Sequence, residues 1–409
     1  VQRRNQMLYR KMPKNGDMIS ILGFGCMRLP VKNGKIDEDR AIRQIRQAID
    51  KGVNYLDTAW PYHGGASEPL LGKALKGGYR DRVKVATKLP SWLIKHREDM
   101  DRFLAAQLEK LDTGRIDYYL LHALNGALWD TLNGLGVIDF LHRAIEDGRI
   151  VNAGFSFHGL AQDFSRIVDA YPWEFCQIQY NFLDQNNQAG TAGLKYAAAK
   201  NLGVVVMEPL RGGNLGLATA PPAVREIWNE AKKRRTPAEW ALRWVWNQPE
   251  VTVVLSGMNE ETHIAENLCI ADDARSDSMT QEELEIVERV SRKYQELMKV
   301  GCTGCGYCMP CPSDVLIPGC FETYNKMHMF GETEAVKFAY AMRMSGILAD
   351  GKPQYASQCV ECGQCLDKCP QHIPIPEFLA QVAAEMEGPD MEKRLAVARK
   401  LFLEEQRQG

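Results

Sequence analysis

Residues 52–62 read GVNYLDTAWPY, residues 83–88 read VKVATK and residues 117–122 read DYYLLH. Each contains a short apolar run closed by a titratable side chain, in turn Asp57, Lys88 and His122. Short apolar runs bounded by polar residues are the pattern of buried strands. Working outward, the same rhythm predicts strands at 19–25, 54–57, 84–87, 117–121, 150–155, 175–179, 203–207 and 251–255. Segments between them, such as 38–51, 98–111, 137–147 and 160–170, carry apolar residues at three- and four-residue steps and predict helices. Gly52, Gly114 and Gly148 follow three of these and are expected to end them. Eight strands alternating with helices over about 250 residues meet the requirement of a closed (β/α)8 TIM barrel, an α/β fold. An open doubly wound sheet is the alternative, disfavoured because no strand leads into a Gly-x-Gly-x-x-Gly turn. Ahead of the first strand, Lys14-Asn15-Gly16-Asp17 predicts a hairpin.

The chain has 409 residues, enough for two domains, which we place at 1–295 and 296–409. Its 45% hydrophobic and 25% charged residues exclude a largely disordered protein. The formal net charge of −2 offers no long-range attraction to nucleic acid or an acidic membrane, so a small molecule is the expected partner. No apolar run reaches the roughly 18 residues needed to cross a bilayer, and VQRRNQMLYRKMPKNG lacks the core of a signal peptide. A cytoplasmic location is expected, and the start at Val1 rather than Met fits a trimmed or tagged N-terminus.

Active sites of such barrels lie where the strands end. Three successive strands deliver Asp57, Lys88 and His122 to one rim, and Tyr62 lies five residues beyond Asp57 in a turn-rich loop. Together these make a proton donor. A phenol titrates near 10, and an adjacent ammonium is expected to lower that value by favouring the phenolate. Lys88 would be that ammonium and Asp57 its counter-charge, while His122 would orient a carbonyl oxygen.

In order, spacing and context these four residues resemble the active site of the aldo-keto reductases, a likeness that spans roughly the first 290 residues. The resemblance implies reduction of a carbonyl, or oxidation of an alcohol, through a nicotinamide cofactor, with Tyr62 as general acid/base. It also implies that Ser156 and Gln179 hold the nicotinamide carboxamide, with Phe157 standing in place of the usual asparagine. Met207 falls where the family stacks a tyrosine on the ring, and a soft methionine can pack there instead. Ser256, Glu266 and Asn267 fall in the segment that binds the adenosine phosphate. The family's basic residues for a 2′-phosphate are replaced by Leu255 and His263, so either NAD(H) or NADP(H), or a flavin, is open. Arg211 with Gly212 and Gly213 is expected to cradle a pyrophosphate through backbone N–H groups.

Nine of the twelve cysteines follow Val300, a distribution that fits metal ligation better than a disulfide framework. One run is Cys302-x2-Cys305-x2-Cys308-x2-Cys311-Pro, the other Cys359-x2-Cys362-x2-Cys365-x3-Cys369-Pro. The second has the spacing of a bacterial ferredoxin. The first is one residue tighter before its last cysteine, which makes Cys320 an alternative to Cys311. Structural zinc wants two separated pairs, so two 4Fe–4S clusters are the better reading. In two-cluster ferredoxins the fourth cysteine of each run serves the other cluster. Cys302, Cys305, Cys308 and Cys369 would then hold one, and Cys359, Cys362, Cys365 and Cys311 the other. The intervening segment has helical spacing around 334–347, as does 281–298 before the module. The tail therefore resembles a mainly α-helical ferredoxin-like iron–sulfur domain.

Three functions are compatible with this chain. The clusters would exchange electrons with a ferredoxin-like partner, although a cubane passes single electrons whereas a nicotinamide transfers two, a gap a flavin normally bridges. Alternatively, a carbonyl reductase carries structural clusters, or the barrel is a cofactor-sensing regulatory module. The complete tetrad counts against a sensor.

Overall fold

Two short antiparallel strands, β1 (Tyr9–Lys11) and β2 (Met18–Ser20), form the expected hairpin, with Arg10 opposite Ile19 and Gly16 in the left-handed region at φ 80°. The computed structural model describes residues 7–331, 333–346 and 352–399. After the hairpin come β3 (Leu22–Gly25), a two-stranded excursion of β4 (Val31–Lys32) and β5 (Lys35–Ile36), then β6 (Tyr55–Asp57), β7 (Lys84–Leu89) and β8 (Ile116–Leu124). They are followed by β9 (Ile150–Phe157), β10 (Phe175–Gln179), β11 (Gly203–Met207) and β12 (Val251–Ser256). Strand β3 and strands β6 to β12 close a barrel of parallel neighbours in chain order, β12 pairing back onto β3.

The strand expected at 19–25 is in fact two. Ser20 Oγ donates to the Leu22 carbonyl at 2.7 Å, and the Ser20 N–H donates to Asn54 Oδ1 at 2.8 Å. This polar knot ends the hairpin and starts the barrel. Inside the barrel, Tyr55, Ala86, Tyr118, Leu120, Phe175, Val205, Val253 and Leu255 fill the centre. Met12, from the hairpin, is part of the same cluster. Two glycines are required by this packing. A Cβ on Gly154 would lie 2.4 Å from the Phe175 ring, and one on Gly203 2.3 Å from Met12 Sδ.

The helices that cover the strands start and stop for local reasons. Asp37 caps Glu38–Asp50 by accepting from the Arg40 N–H, and Thr236 caps Pro237–Trp246 by accepting from the Glu239 N–H. Gly52 (φ 101°) and Gly148 (φ 78°) take the left-handed positions beyond their helices as expected. Gly114 does not: after Arg97–Lys110 it is Asp112 that turns left-handed, at φ 50°.

The chain divides into two compact units, Val1–Arg211 with Arg235–Leu284, and Gly212–Arg234 with Glu285–Gly409. The second is mainly helical. Ile317–Phe330, Thr333–Met344 and Ile375–Met386 contribute to a core that includes Phe321, Tyr324, Tyr340, Met344, Leu379 and Val382. The helix expected around 334–347 is Thr333–Met344, and position 347 lies outside the described residues. The helix before the module runs Gln281–Leu297. Among the described residues, no helix is long and apolar enough to cross a membrane.

Candidate functional site

Strand alternation decides what reaches the barrel rim. Side chains two apart share a face, so the inward row of β6 runs from Tyr55 to Asp57, that of β7 from Ala86 to Lys88, and that of β8 from Leu120 to His122. Asp57, Lys88 and His122 are all buried. Lys88 Nζ donates to Asp57 Oδ1 at 2.6 Å and to the Thr58 carbonyl at 2.8 Å, and lies 3.5 Å from the Tyr62 hydroxyl. The His122 ring stands edge-on to Tyr62, with centroids 6.1 Å apart. The four residues of the expected tetrad are thus brought together.

His122 owes its place to an irregularity. The β8–β9 register shifts between Leu121 and Leu124, and Ala123 sits there at φ 54°, a conformation a β-carbon disfavours. The Ala123 N–H donates to Ser156 Oγ at 2.8 Å, so Ser156 serves the bulge beside His122.

Burial dominates the protonation of the site. It pushes the Tyr62 phenol well above its ordinary 10, and the neighbouring Asp57, Cys26 and Glu208 push the same way. The expectation from the sequence is that Lys88 lowers this value, but burial outweighs the ammonium, and the phenol is held in its neutral form. Burial likewise raises the Asp57 carboxyl against the opposing pull of Lys88. His122 is held well below 6.5 by burial first, then by Lys88 and His158, so its imidazole is neutral.

The residues expected to hold a dinucleotide are distributed unevenly. Gln179, ending β10, donates to Asp184 Oδ2 at 2.6 Å and accepts from Asn187 at 3.2 Å. Met207, ending β11, is half-buried with its sulfur 3.6 Å from Gln177 Nε2. Asn267 Nδ2 donates to Ser256 Oγ at 2.9 Å, and Glu266 accepts from Thr236 Oγ1. Phe157 points away from the barrel interior and packs edge-on against Phe164. Arg211 is buried with its Nε 3.0 Å from Asp184 Oδ2, so its side chain is paired within the protein. Leu255 packs in the barrel centre, in keeping with the lack of a cation at that position, and His263 is exposed.

Several residues near the rim escaped the sequence reading. Cys26 is fully buried close enough to Asp57 and Lys88 to feel both charges. Trp92 lies 5.1 Å from the His122 ring. His158 bonds Gln188 Oε1 at 3.2 Å, and burial brings its imidazole down to about 4. None belongs to a motif. Only the SFHG step after β9 hinted at His158.

In the second unit the thiols line two cavities. One is bordered by Cys302, Cys305, Cys308 and Cys369. The other is bordered by Cys311, Cys359, Cys362 and Cys365, with Cys308 in its wall too. The chain therefore groups the cysteines in the crossed pattern of the two runs. Cys320 lines neither cavity and is buried near Tyr340, Met344 and the Gln354 carbonyl. Among the described residues, no three Cys, His or carboxylate groups converge on a single-ion site. Four soft thiols spread around each cavity fit a 4Fe–4S group.

Residues 21–290 match the aldo/keto reductase family. The chain belongs to that family. Residues 301–373 match a 4Fe-4S dicluster domain. Among curated proteins, the Arabidopsis thaliana L-galactose dehydrogenase is 27% identical over 312 residues, covering 70% of this chain and 95% of that protein. Among solved structures, the holo form of an aldo-keto reductase from Bacillus halodurans superposes with a TM-score of 0.59 at 24% identity, over 70% of this chain and 96% of that one. The thermostable aldo-keto reductase Tm1743, in complex with the inhibitor epalrestat, gives 0.58 at 24% identity over 69% and 100%. These two likenesses establish the barrel fold. As an aldo/keto reductase with an added 4Fe–4S domain, the chain is an oxidoreductase.

Proposed function

We propose that residues 1–295 interconvert a small carbonyl compound and its alcohol with NADH or NADPH, and that residues 296–409 hold two 4Fe–4S clusters that exchange electrons with a ferredoxin-like partner. The observation that carries the first part is the buried Lys88 ammonium, 2.6 Å from Asp57 and 3.5 Å from the Tyr62 hydroxyl. Tyr62 gives its phenolic proton to the substrate oxygen as that oxygen gains charge, and Lys88 stabilises the phenolate left behind. The neutral His122 imidazole donates a hydrogen bond that orients the same oxygen. Ser156, Gln179, Met207, Ser256, Glu266 and Asn267 would border the dinucleotide. The bound nicotinamide supplies the hydride.

Cys302, Cys305, Cys308 and Cys369 would hold one cluster, and Cys311, Cys359, Cys362 and Cys365 the other. Bound clusters supply one-electron transfer. A reducing, cytoplasmic setting suits twelve cysteines, none of which is in a disulfide. A second reading has support too: Cys308 and Cys369 belong to the helical core, and Cys302, Cys311, Cys359 and Cys365 pack on it, so the clusters would brace the unit. The deciding experiment uses anaerobically purified protein. Nicotinamide oxidation is followed with a panel of aldehydes and ketones while cluster EPR is sampled through turnover, and acid-released small molecules are scanned for flavin. No turnover with any carbonyl sinks the reductase; a silent cluster signal through full turnover leaves the bracing role.

A further inference from the structure

Behind the rim, on the outer side of the barrel wall, lies a polar cluster that the proposed chemistry does not use. Glu68, the second residue of helix Ser67–Ala74, is completely buried. Its Oε1 accepts from Thr87 Oγ1 at 2.7 Å and from Gln107 Nε2 at 2.6 Å. The Gln107 amide also donates to the Lys88 carbonyl at 3.0 Å, while its Oε1 accepts from the Tyr119 hydroxyl at 2.8 Å. Glu68 Oε2 faces Lys110 Nζ at 3.6 Å, and that ammonium stands 3.3 Å from the centre of the Trp60 ring. Phe103 packs edge-on against Trp60, the ring centroids 4.8 Å apart.

The connections run to both members of the Lys88–Tyr62 pair. Through Gln107 and Thr87, Glu68 grips the end of β7, fixing the backbone from which Lys88 projects inward. Through Lys110 it grips Trp60, two residues before Tyr62 in the same loop. That loop needs the support, because His63, Gly64 and Gly65 follow one another in left-handed conformations at φ 53°, 64° and 91°. Adjacent Ser67 completes the frame: its hydroxyl lies 2.8 Å from Thr58 Oγ1, and the Thr58 carbonyl accepts from Lys88 Nζ. A carboxylate is costly to bury unless it is paired and hydrogen-bonded, and burial raises the Glu68 carboxyl against the opposing pull of Thr87, Gln107 and Lys110. A neutral side chain would serve if the need were only to fill space.

We propose that Glu68 is a positioning residue that sets the distance between the Lys88 ammonium and the Tyr62 hydroxyl, acting through Gln107 on one side and through Lys110 and Trp60 on the other. The proposal rests on the carbonyl-reduction reading for its consequence, though its geometry stands alone. Glu68→Gln keeps the shape and one acceptor but releases Lys110. Lys110→Met keeps the apolar stem and removes the charge that grips Trp60.

The test uses the full-length, anaerobically purified protein in two measurements. Steady-state kinetics with NADH and 4-nitrobenzaldehyde should show kcat falling about tenfold in either variant, with KM and dinucleotide affinity nearly unchanged. The double variant should be little worse than either single one, since both cut the same linkage. Carbon-13 NMR of ring-labelled tyrosine then reads Tyr62 directly, in the presence of the charges of Asp57, Glu208 and Lys88 and of the Cys26 and His122 groups that face it. Wild-type Tyr62 should titrate well above an ordinary tyrosine, whereas a loosened loop admits water and should bring the variant phenol back toward the ordinary value. Variants that lose thermal stability yet keep wild-type kcat and Tyr62 titration would make Glu68 a purely architectural residue and overturn the proposal. If the wild type itself reduces no carbonyl, the reductase reading fails, and the Tyr62 titration alone decides whether Glu68 positions it.

Discussion

The barrel rim and the cysteine unit solve the problem of assembling a site in opposite ways. At the rim, Asp57, Lys88 and His122 come from three strands and meet only because those strands are parallel neighbours in register. In the second unit, most thiols of each group come from one short run, and tertiary structure adds a single cysteine from the other run. At the rim the charges are already paired: Lys88 has its carboxylate and carbonyl partners. The thiols of the second unit instead line two cavities, and six of them belong to or pack on the helical core. A site of pre-paired charges should fail by losing chemistry. A site of facing thiols should fail by losing its contents.

The sharpest challenge to that contrast is Tyr62→Phe. It should abolish carbonyl reduction, by about 10^2–10^4-fold, while dinucleotide affinity measured by fluorescence stays nearly constant, because a proton donor is removed and little packing. Retained turnover would break the account of the rim.

Next in size is the cysteine unit. Iron analysis of the anaerobic protein should find about eight irons per chain, and Cys311→Ala should lose about half of them. Cys320→Ala should lose none. If the Cys320 variant is the one that loses iron, the grouping around the two cavities is wrong, and zinc in place of iron would end the ferredoxin comparison.

A smaller effect concerns the dinucleotide. With Arg211 committed to Asp184 and Leu255 buried in the barrel centre, a 2′-phosphate gains no charge-assisted bond from either position. NADPH and NADH should bind within about tenfold of each other, and a much stronger preference for NADPH in a fluorescence titration would reveal a different cation at the site.

The smallest effect separates the rim's buried histidines from the rest of the barrel. His158 is brought down to about 4 by burial, against about 6.5 in an unfolded chain. Between those values the unfolded chain takes up a proton there and the folded one does not, so stability is lost as pH falls through that window. His158→Asn should flatten the fall in Tm between about pH 6.5 and pH 4; an unchanged slope would show that other groups carry the acid sensitivity.

How much of this was legible beforehand follows the same division. The eight barrel strands could be read because apolar runs of strand length recur with helical spacing between them. The split at Ser20 could not, because it depends on Asn54 from a different segment. Asp57, Lys88 and His122 were legible as strand ends. Their protonation was not, since burial rather than the nearest charge governs Tyr62. The ion pair of Arg211 was not legible for a related reason: its partner Asp184 comes from a different segment. Trp92 and the Glu68 cluster carry no spacing signal at all.

The sequence by itself determined the order of strands and helices, the identity of the rim residues and the two cysteine runs, because periodicity and spacing are local properties of the chain. Tertiary structure alone decided which face of each strand met the barrel interior, that Cys311 rather than Cys320 joins the second group of thiols, and which charges are already neutralised by a neighbour. Those are matters of distance between residues far apart in the chain, and the energy of a charge depends on its surroundings in space.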